Sequence, residues 1–334
     1  MTNPLDRNRP VDIPREFAVE RANPMLSYCD SEVQRMEAFL NDRRVTIERT
    51  ITAASFAEAK DLTTGVSGAK TIVIAGQKYI LKSQNFTETF RANFGTLLAY
   101  RANFGASLAD SSDITHRKIS ESDDSYAHFP RKEVLGSTLA SKFHLKVPKT
   151  ELARIEGDGI ASLQEFVSEK EAIVMTLKGD KLAVADIDFQ SIVGTVLFQI
   201  ATENIDGHSG NVMLRYLPES NDEERIARFE AFPIDYGLIL PRNASVYPLE
   251  TNLIKGVLYK LIENRKIPIK TVTENLPQLD DILCDPVIQR LATDNEKQNL
   301  IANLRALHQA ASKSPEITTI KDFLDLVIIC RIRE

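Results

Sequence analysis

The feature that most constrains the fold is that a β-rich first half of the chain feeds a helical second half. Short runs of β-branched and aromatic residues recur in the first half, whereas from about residue 249 to the end the apolar spacing is helical, with breaks at prolines. Strands gathered in one part of a chain and helices in another are typical of α+β layers. The pattern therefore predicts an α+β fold and argues against a doubly wound parallel sheet.

Local patterns predict the individual elements. The stretch TTGVSGAKTIVIAGQKYILKSQN (63–85) contains two strand-like runs around Ala75-Gly76-Gln77, which predicts an antiparallel hairpin. Alternating or β-branched runs predict further strands at 44–52, 145–155 and 161–167. Apolar residues at helical spacing predict helices at 31–42, 131–143 and 186–204, the last with Asp188 as its N-cap.

The composition narrows the class of protein. Of the 334 residues, 43% are apolar and 26% are charged, as in ordinary globular proteins. The net charge of −6 gives no long-range attraction for nucleic acid, so no nucleic-acid partner is expected. The three cysteines are far apart and lack histidines at ligand spacing, which favours reduced thiols. Because no secretory signal or bilayer-length apolar run is visible, a cytoplasmic location is expected, in the producing cell or in a host cell that received the protein.

Three polar residues lie at the ends of apolar segments. NIDGHSGNVMLRYLP (204–218) contains Asp206 and Asn211, and FPIDYGLILP (232–241) contains Asp235 at the start of Asp-Tyr-Gly. Carboxylates and amides are costly to bury without partners, so these residues are expected to bind ligands. The interval from Asp206 to Asn211 equals that between the catalytic Asp and the metal-binding Asn of kinases. Asp206 would orient the attacking hydroxyl, while Asn211 and Asp235 would hold Mg²⁺ or Mn²⁺, which prefer oxygen ligands.

The other parts of a kinase site occur in the expected order. Lys82 ends the strand-like run KYILK, and Glu133 opens the helical segment RKEVLGSTLASKF, so the two are expected to form an ion pair. Gly65 and Gly68, just ahead of the hairpin, would let backbone amides approach the phosphates of ATP, and the strand ASLQEFV would offer backbone hydrogen bonds to adenine. The candidate ATP-binding residues in these two segments are Gly65, Ser67, Gly68, Gln164, Glu165, Phe166 and Val167.

Each motif also has an ordinary interpretation. An isolated Asp-x4-Asn is usually a solvated turn, Lys82 alone is a strand-end lysine, and Glu133 alone is a first-turn residue favoured by the helix dipole. His208 could act as a general base, although a turn histidine in contact with water is the more common case. It is the ordered set that favours kinase chemistry over chance.

Together these segments resemble the atypical kinases of the phosphoinositide 3/4-kinase-like superfamily, and most closely the type II phosphatidylinositol 4-kinases. The resemblance covers roughly residues 63–245. It implies a two-lobed protein/lipid kinase-like fold with a helical C-terminal extension, in which Lys82 contacts the α- and β-phosphates and residues 164–167 form the hinge. Unlike those lipid kinases, the chain has no cysteine between residues 30 and 283 to carry acyl chains. A protein serine or threonine acceptor, including the chain itself, is therefore favoured over a phosphoinositide.

Six basic residues gather around a predicted helical insertion at about 86–128: Arg91, Arg101, Arg117, Lys118, Arg131 and Lys132. They are interpreted either as a solvated helix face or as a site for an anionic regulator, because arginine forks match phosphate geometry. Some bacterial effector kinases of the same superfamily depend on a host inositol polyphosphate. By this resemblance, inositol hexakisphosphate is the candidate regulator.

The predicted organisation has four parts. Residues 1–43 form an N-terminal arm and helix, 44–167 a small β-rich N-lobe, 168–250 a C-lobe with the catalytic and metal-binding loops, and 251–334 a helical region. The predicted function is that of an ATP- and divalent-metal-dependent kinase, with a lipid kinase and a pseudokinase scaffold as the alternatives. The amphipathic C-terminal helices could also contact a partner or a membrane surface.

Overall fold

The fold is a mixture of helices and small sheets, given by a computed structural model that describes residues 34–62, 69–83, 129–175, 186–204, 209–218, 228–237, 239–240 and 257–332. The strands are β1 (Arg49–Ile51), β2 (Lys60–Asp61), β3 (Lys70–Ile74), β4 (Gln77–Ser83), β5 (Thr150–Ile155), β6 (Gly159–Glu165), β7 (Ala172–Val174), β8 (Val212–Tyr216), β9 (Phe229–Pro233), β10 (Lys266–Pro268) and β11 (Ile317–Thr319). The helices are α1 (34–42), α2 (Ala53–Ala57), α3 (Phe129–Lys142), α4 (Phe189–Thr202), α5 (Val257–Ile262), α6 (Ile269–Asn275), α7 (Leu279–Leu283), α8 (Pro286–Leu291), α9 (Asp294–Lys313) and α10 (Ile320–Ile332).

The largest sheet has six strands in the order β1-β5-β6-β4-β3-β2. β1 runs parallel to β5, and the other neighbours are antiparallel. The predicted hairpin is confirmed as β3–β4, joined by Ala75 and Gly76 with φ angles of 51° and 81°. Two consecutive positive φ angles are those of a type I′ turn, whose twist matches that of the paired strands.

Two of the predicted strands are shorter in the structure. The 44–52 run pairs only at β1, and its earlier apolar residues Val45 and Ile47 pack against the larger hydrophobic core. The 145–155 run pairs only from Thr150, after Pro148, whose missing N–H cannot join a ladder. Apolar periodicity marks where a segment is buried, but it does not show which part of that segment has a strand beside it.

Helix α3 lies against the six-stranded sheet and is buried on almost every side. Residues 130–137 and 139–140 are all buried, including three consecutive charged residues. Apolar side chains of α3 join the larger hydrophobic core, while the opposite face of the sheet has its own small core around Leu81, Ala153 and Leu163. The charged residues of α3 must therefore be paired inside the protein, since unpaired buried charges are strongly unfavourable.

A second sheet, in the order β7-β8-β9, is antiparallel and packs on α4. The predicted N-cap of α4 is confirmed, because the Asp188 carboxylate accepts a 2.8 Å hydrogen bond from the Ser191 N–H. Residues 191–202 of this helix are all buried, as expected for a helix that is apolar all round. Glu203 ends α4 in the left-handed conformation, with a φ of 48°.

The C-terminal region contains helices α5–α10, and it also contains a two-stranded antiparallel ribbon that the helical pattern did not predict. β10 and β11 pair over three residues each, from Lys266 opposite Thr319 to Pro268 opposite Ile317. Runs this short carry no measurable period, so sequence patterning could not identify them. None of the helices in the described ranges is long and apolar enough to span a membrane.

The larger core combines residues from α3, β5, β6 and α4 with residues from α6–α10. The C-terminal helices are thus packed against the same apolar interior as the sheets. The four-part division of the chain stays a prediction, and its insertion at 86–128 lies outside the described residues.

A buried ion pair joins α3 to the first turn of α9. The two terminal nitrogens of the Arg131 guanidinium, Nη1 and Nη2, donate to the Glu296 carboxylate at 2.7 and 2.9 Å, and Nη1 also donates to the Leu291 carbonyl. Burial acts to raise the pKa of Glu296, but Arg131 outweighs it and lowers that pKa to about 2. The pair is bidentate and has little contact with water, which is the geometry in which such pairs are strongest.

Glu296 should make stability depend on pH in a narrow acidic window. Between pH 4.5 and about 2 the unfolded chain binds a proton at this residue and the native chain does not, so stability falls as the pH falls. Glu296→Gln removes this contribution. The difference in unfolding free energy between the wild type and Glu296→Gln, from urea titrations, should narrow by about 1.4 kcal/mol per pH unit below 4.5. A difference that stays constant with pH would contradict the lowered pKa.

Candidate active site

The candidate site is built around the ammonium group of Lys82, near the end of β4. Lys82 pairs with Ser162 of β6 and shares the sheet face that carries α3. Its Nζ lies 2.8 Å from Oε1 of Glu133 and 3.1 Å from Oδ1 of Asp235. Three residues separated by 51 and 102 positions along the chain thus meet at one cation.

Glu133 is positioned by the first turns of α3 and is 2% exposed. The same oxygen that contacts Lys82 also accepts a 3.2 Å hydrogen bond from the backbone N–H of Tyr236. Glu133 therefore connects the six-stranded sheet to the Asp-Tyr-Gly segment after β9.

Asp235 and Asn211 lie at the same end of two neighbouring strands. β8 and β9 are antiparallel with Val212 opposite Pro233, so Asn211 precedes β8 where Ile234 and Asp235 follow β9. The Ile234 N–H donates to the Asn211 carbonyl at 2.8 Å and extends the ladder by one bond. Asp235 then turns with a φ of 63°, which few non-glycine residues adopt. This turn directs the carboxylate towards Lys82.

Lys82, Glu133 and Asp235 shift one another's pKa values. Burial acts to lower the pKa of Lys82, but Asp235 and Glu133 outweigh it and raise that pKa above its ordinary value. Burial raises the pKa of Glu133. Burial also acts to raise the pKa of Asp235, but the Lys82 ammonium outweighs it and lowers that pKa below its ordinary value. Asp235, whose side chain is 29% exposed, is the more accessible of the two acids.

Two glycines allow α3 and the Asp-Tyr-Gly segment to touch. A Cβ added to Gly136 would lie 2.2 Å from the Tyr236 Cβ, and one added to Gly237 would lie 2.7 Å from the Phe129 ring. Tyr236 is itself fully buried, with its hydroxyl donating to the Pro233 carbonyl at 2.6 Å. The motif analysis did not identify Gly136 or Tyr236. A glycine inside an apolar helix was the available signal for the first, because such glycines usually mark close packing.

The predicted hinge residues span the end of β6, with Gln164 and Glu165 in the strand and Phe166 and Val167 just after it. Gln164 lies on the same sheet face as Lys82, two positions from the Lys82 partner Ser162, and is 7% exposed. Its Nε2 is buried and has no hydrogen-bond partner in the described part of the chain. The backbone N–H groups of Glu165 and Phe166 are already bonded to the carbonyls of Lys149 and Lys78. Hydrogen bonds to a base would therefore come from carbonyls, from Val167 or from the unpaired Gln164 amide.

The donor set at Asn211 and Asp235 fits a divalent cation that arrives with a nucleotide. Within the described ranges, no group of three or more His, Cys, Asp or Glu side chains converges as a metal site. One carboxylate and one amide leave most of an octahedral shell to other oxygens, and Mg²⁺ in proteins commonly completes its shell with substrate phosphates and water.

Several predicted site residues lie outside the described residues. These are Asp206 and His208 between α4 and β8, Gly65, Ser67 and Gly68 between β2 and β3, and Arg91, Arg101, Arg117 and Lys118 in the predicted insertion. Their predicted roles stay predictions.

The predicted regulator cluster is wrong in two of its six members. Arg131 is 1% exposed and is bonded to Glu296. Lys132 is 4% exposed and donates to the Ile239 carbonyl at 2.8 Å, and burial lowers its pKa to about 8. Basic residues are usually placed on the surface from sequence alone, but here the partners lie more than 100 positions away. Both side chains are structural and face the interior.

Comparisons with known proteins add little. No protein-family model matches the chain, and no curated protein is significantly similar to it. Among solved structures, the chain is similar to the crystal structure of a Helicobacter pylori proinflammatory kinase, CtkA, at 12% identity and a TM-score of 0.38, over 85% of this chain and 99% of that chain. Similarity at this level does not assign a family or a function, so the residues of the site carry the argument.

Proposed function

We propose that the chain is an atypical, two-lobed kinase that uses ATP and a divalent metal to phosphorylate a hydroxyl group. The observation that carries this proposal is the ion-pair cluster, in which Lys82 contacts Glu133 at 2.8 Å and Asp235 at 3.1 Å. A lysine held by one buried acid beside a second, more accessible acid is the arrangement that phosphoryl transfer requires.

Each residue of the cluster has a separate task in this proposal. Lys82 donates to phosphate oxygens of ATP, and Glu133 holds the ammonium so that it does not reorient during the reaction. A bound Mg²⁺ or Mn²⁺ would supply charge neutralisation of the triphosphate, and Asn211 and Asp235 are the residues that would hold it. Asp206 orients the acceptor hydroxyl and accepts its proton.

Nucleotide binding is supported by an unsatisfied polar group. A buried amide without a partner is unfavourable in the free protein and gains a hydrogen bond when a ligand supplies an acceptor. Gln164 Nε2 is such a group, and it lies on the Lys82 face of the sheet. The ring nitrogens of adenine are acceptors of the required kind.

The favoured acceptor is a protein serine or threonine, including residues of the chain itself. The reason is the sequence, which carries no cysteine between residues 30 and 283 for acyl attachment to a membrane. Activation by inositol hexakisphosphate would now rest on Arg91, Arg101, Arg117 and Lys118, because Arg131 and Lys132 face the interior.

Transfer of label from radioactive ATP tests the proposal. The purified chain is incubated with Mg²⁺ or Mn²⁺, with and without inositol hexakisphosphate, on protein acceptors and phosphoinositide vesicles side by side. Labelled protein is expected, with the rate reduced at least about 100-fold in Asp206→Asn and in Asp235→Asn. Lys146→Met, which changes a largely exposed lysine, is the matched control and should retain the wild-type rate.

The same assay separates the alternatives. Label found only in the vesicles would indicate a lipid kinase and not a protein kinase. Absence of both transfer and metal-dependent nucleotide binding would leave the pseudokinase scaffold. Transfer that survives both aspartate substitutions would refute the proposed site.

A further inference from the structure

The first turn of α9 is connected directly to the helix that carries Glu133. Arg131 precedes Glu133 by two residues on α3, and its guanidinium forms the bidentate pair with Glu296. Glu296 is also the third residue of α9, where its carboxylate accepts from the Thr293 N–H at 2.8 Å and completes a capping box. The start of α9 and the start of α3 therefore share one carboxylate, and neither can shift without breaking hydrogen bonds of the other.

About two turns further along, α9 contacts the end of α4. The Asn303 amide donates to the Ala201 carbonyl at 3.1 Å and to Oε1 of Glu203 at 3.0 Å. Carbonyls in the last turn of a helix have no partner within the helix, so Asn303 satisfies one of them. Glu203 is the left-handed residue at the end of α4, eight positions before Asn211.

We propose that α9 positions the candidate catalytic residues by fixing α3 at its first turn and the end of α4 two turns later, with Glu296 and Asn303 as the positioning residues. This inference rests on the proposed function. It assigns to the C-terminal helical region a direct part in the geometry of the site, beyond filling the core. Neither residue touches a reacting group. Glu296 acts through the Arg131 side chain of α3, and Asn303 acts through the Ala201 carbonyl and the Glu203 side chain at the end of α4.

Two substitutions separate this role from simple stabilisation of α9. Glu296→Gln keeps a side chain that can complete the capping box but removes the charge that pairs with Arg131. Thr293→Ala removes the N-cap hydroxyl, which accepts from the Glu296 N–H at 3.2 Å, and leaves the Arg131 pair in place. The second variant is the matched control, because it weakens the same turn without breaking the connection to α3.

Amide hydrogen exchange, measured by mass spectrometry on the full chain, distinguishes a positioning role of Glu296 from simple stabilisation of α9. In Glu296→Gln, exchange should increase at least about 10-fold in peptides covering α3, while Thr293→Ala should change only the start of α9. In Asn303→Ala the increase should appear at residues 200–204. If Glu296→Gln does not fold, Glu296→Asp keeps the charge on a shorter arm and should show a smaller increase in α3.

An exchange increase confined to α9, or an equal effect of Glu296→Gln and Thr293→Ala on α3, would overturn the inference. The transfer assay gives the second measurement: the turnover rate per folded molecule should fall about 10-fold in Glu296→Gln and stay unchanged in Thr293→Ala. A wild-type chain without transfer would refute the proposed function, whereas the exchange pattern would still show whether α9 fixes α3 and the end of α4.

Discussion

Lys82→Met is expected to reduce phosphotransfer by about 100- to 1000-fold, the usual effect of removing a preorganised donor to developing charge. The same substitution should also destabilise the protein by roughly 3 kcal/mol, because it leaves the buried Glu133 and the partly buried Asp235 facing each other without a cation. Initial rates at saturating ATP and urea unfolding at neutral pH measure the two effects. Methionine preserves the length and much of the apolar stem of lysine, so neither effect can be assigned to a large cavity.

Asp235→Asn is the matched comparison, because it should lose transfer to a similar extent without losing stability. It removes one of two acids that share a single ammonium and leaves the Lys82–Glu133 pair intact. The unfolding free energy is expected to stay within about 1 kcal/mol of the wild type. Equal destabilisation by Lys82→Met and Asp235→Asn would mean that the cluster is not organised around Lys82. Full phosphotransfer activity in Lys82→Met would show that Lys82 does not belong to the active site.

The sequence pattern was most informative where a local rule was sufficient. The β3–β4 hairpin, the N-cap of α4 and the existence of helix α3 follow from turn chemistry, capping and period. The meeting of Lys82, Glu133 and Asp235 was expected only from their order along the chain, and the structure places both acids within 3.1 Å of the Lys82 Nζ. The kinase chemistry was therefore predicted from the order of the motifs along the chain, which hydrophobic periodicity alone does not reveal.

Long-range pairings were not predictable from local patterns. Arg131 and Lys132 resemble surface residues because nothing near them in the chain shows that Glu296 and the Ile239 carbonyl are their partners. The same holds for Asn303 and Glu203, which belong to different helices. A charged residue is expected at the surface unless a partner is known, and the partner is a property of the fold.

Gly136→Ala should destabilise the protein and also impair transfer, although alanine normally stabilises a helix interior by about 1 kcal/mol relative to glycine. The added methyl group would lie 2.2 Å from Cβ and 2.4 Å from Cγ of Tyr236, so one of the two elements must move. Tyr236 cannot turn aside easily, because its hydroxyl bonds to Pro233 and its ring packs edge-on against Phe198 at 5.8 Å. We therefore expect a net loss of roughly 2 kcal/mol, since overpacking exceeds the gain in helix propensity.

The effect of Gly136→Ala on transfer follows from the position of Tyr236 beside Asp235. The Tyr236 N–H donates to Glu133, so moving Tyr236 displaces both acids relative to Lys82, and a displacement of about 1 Å can reduce a rate by about 100-fold. Ser141→Ala, at an exposed position of the same helix, is the control that keeps the propensity gain without the clash and should retain both stability and rate. Of these two positions, only Gly136 sets helix propensity against the Tyr236 contact. A Gly136→Ala protein that is more stable than the wild type and fully active would therefore show that α3 and the Asp-Tyr-Gly segment are not in contact.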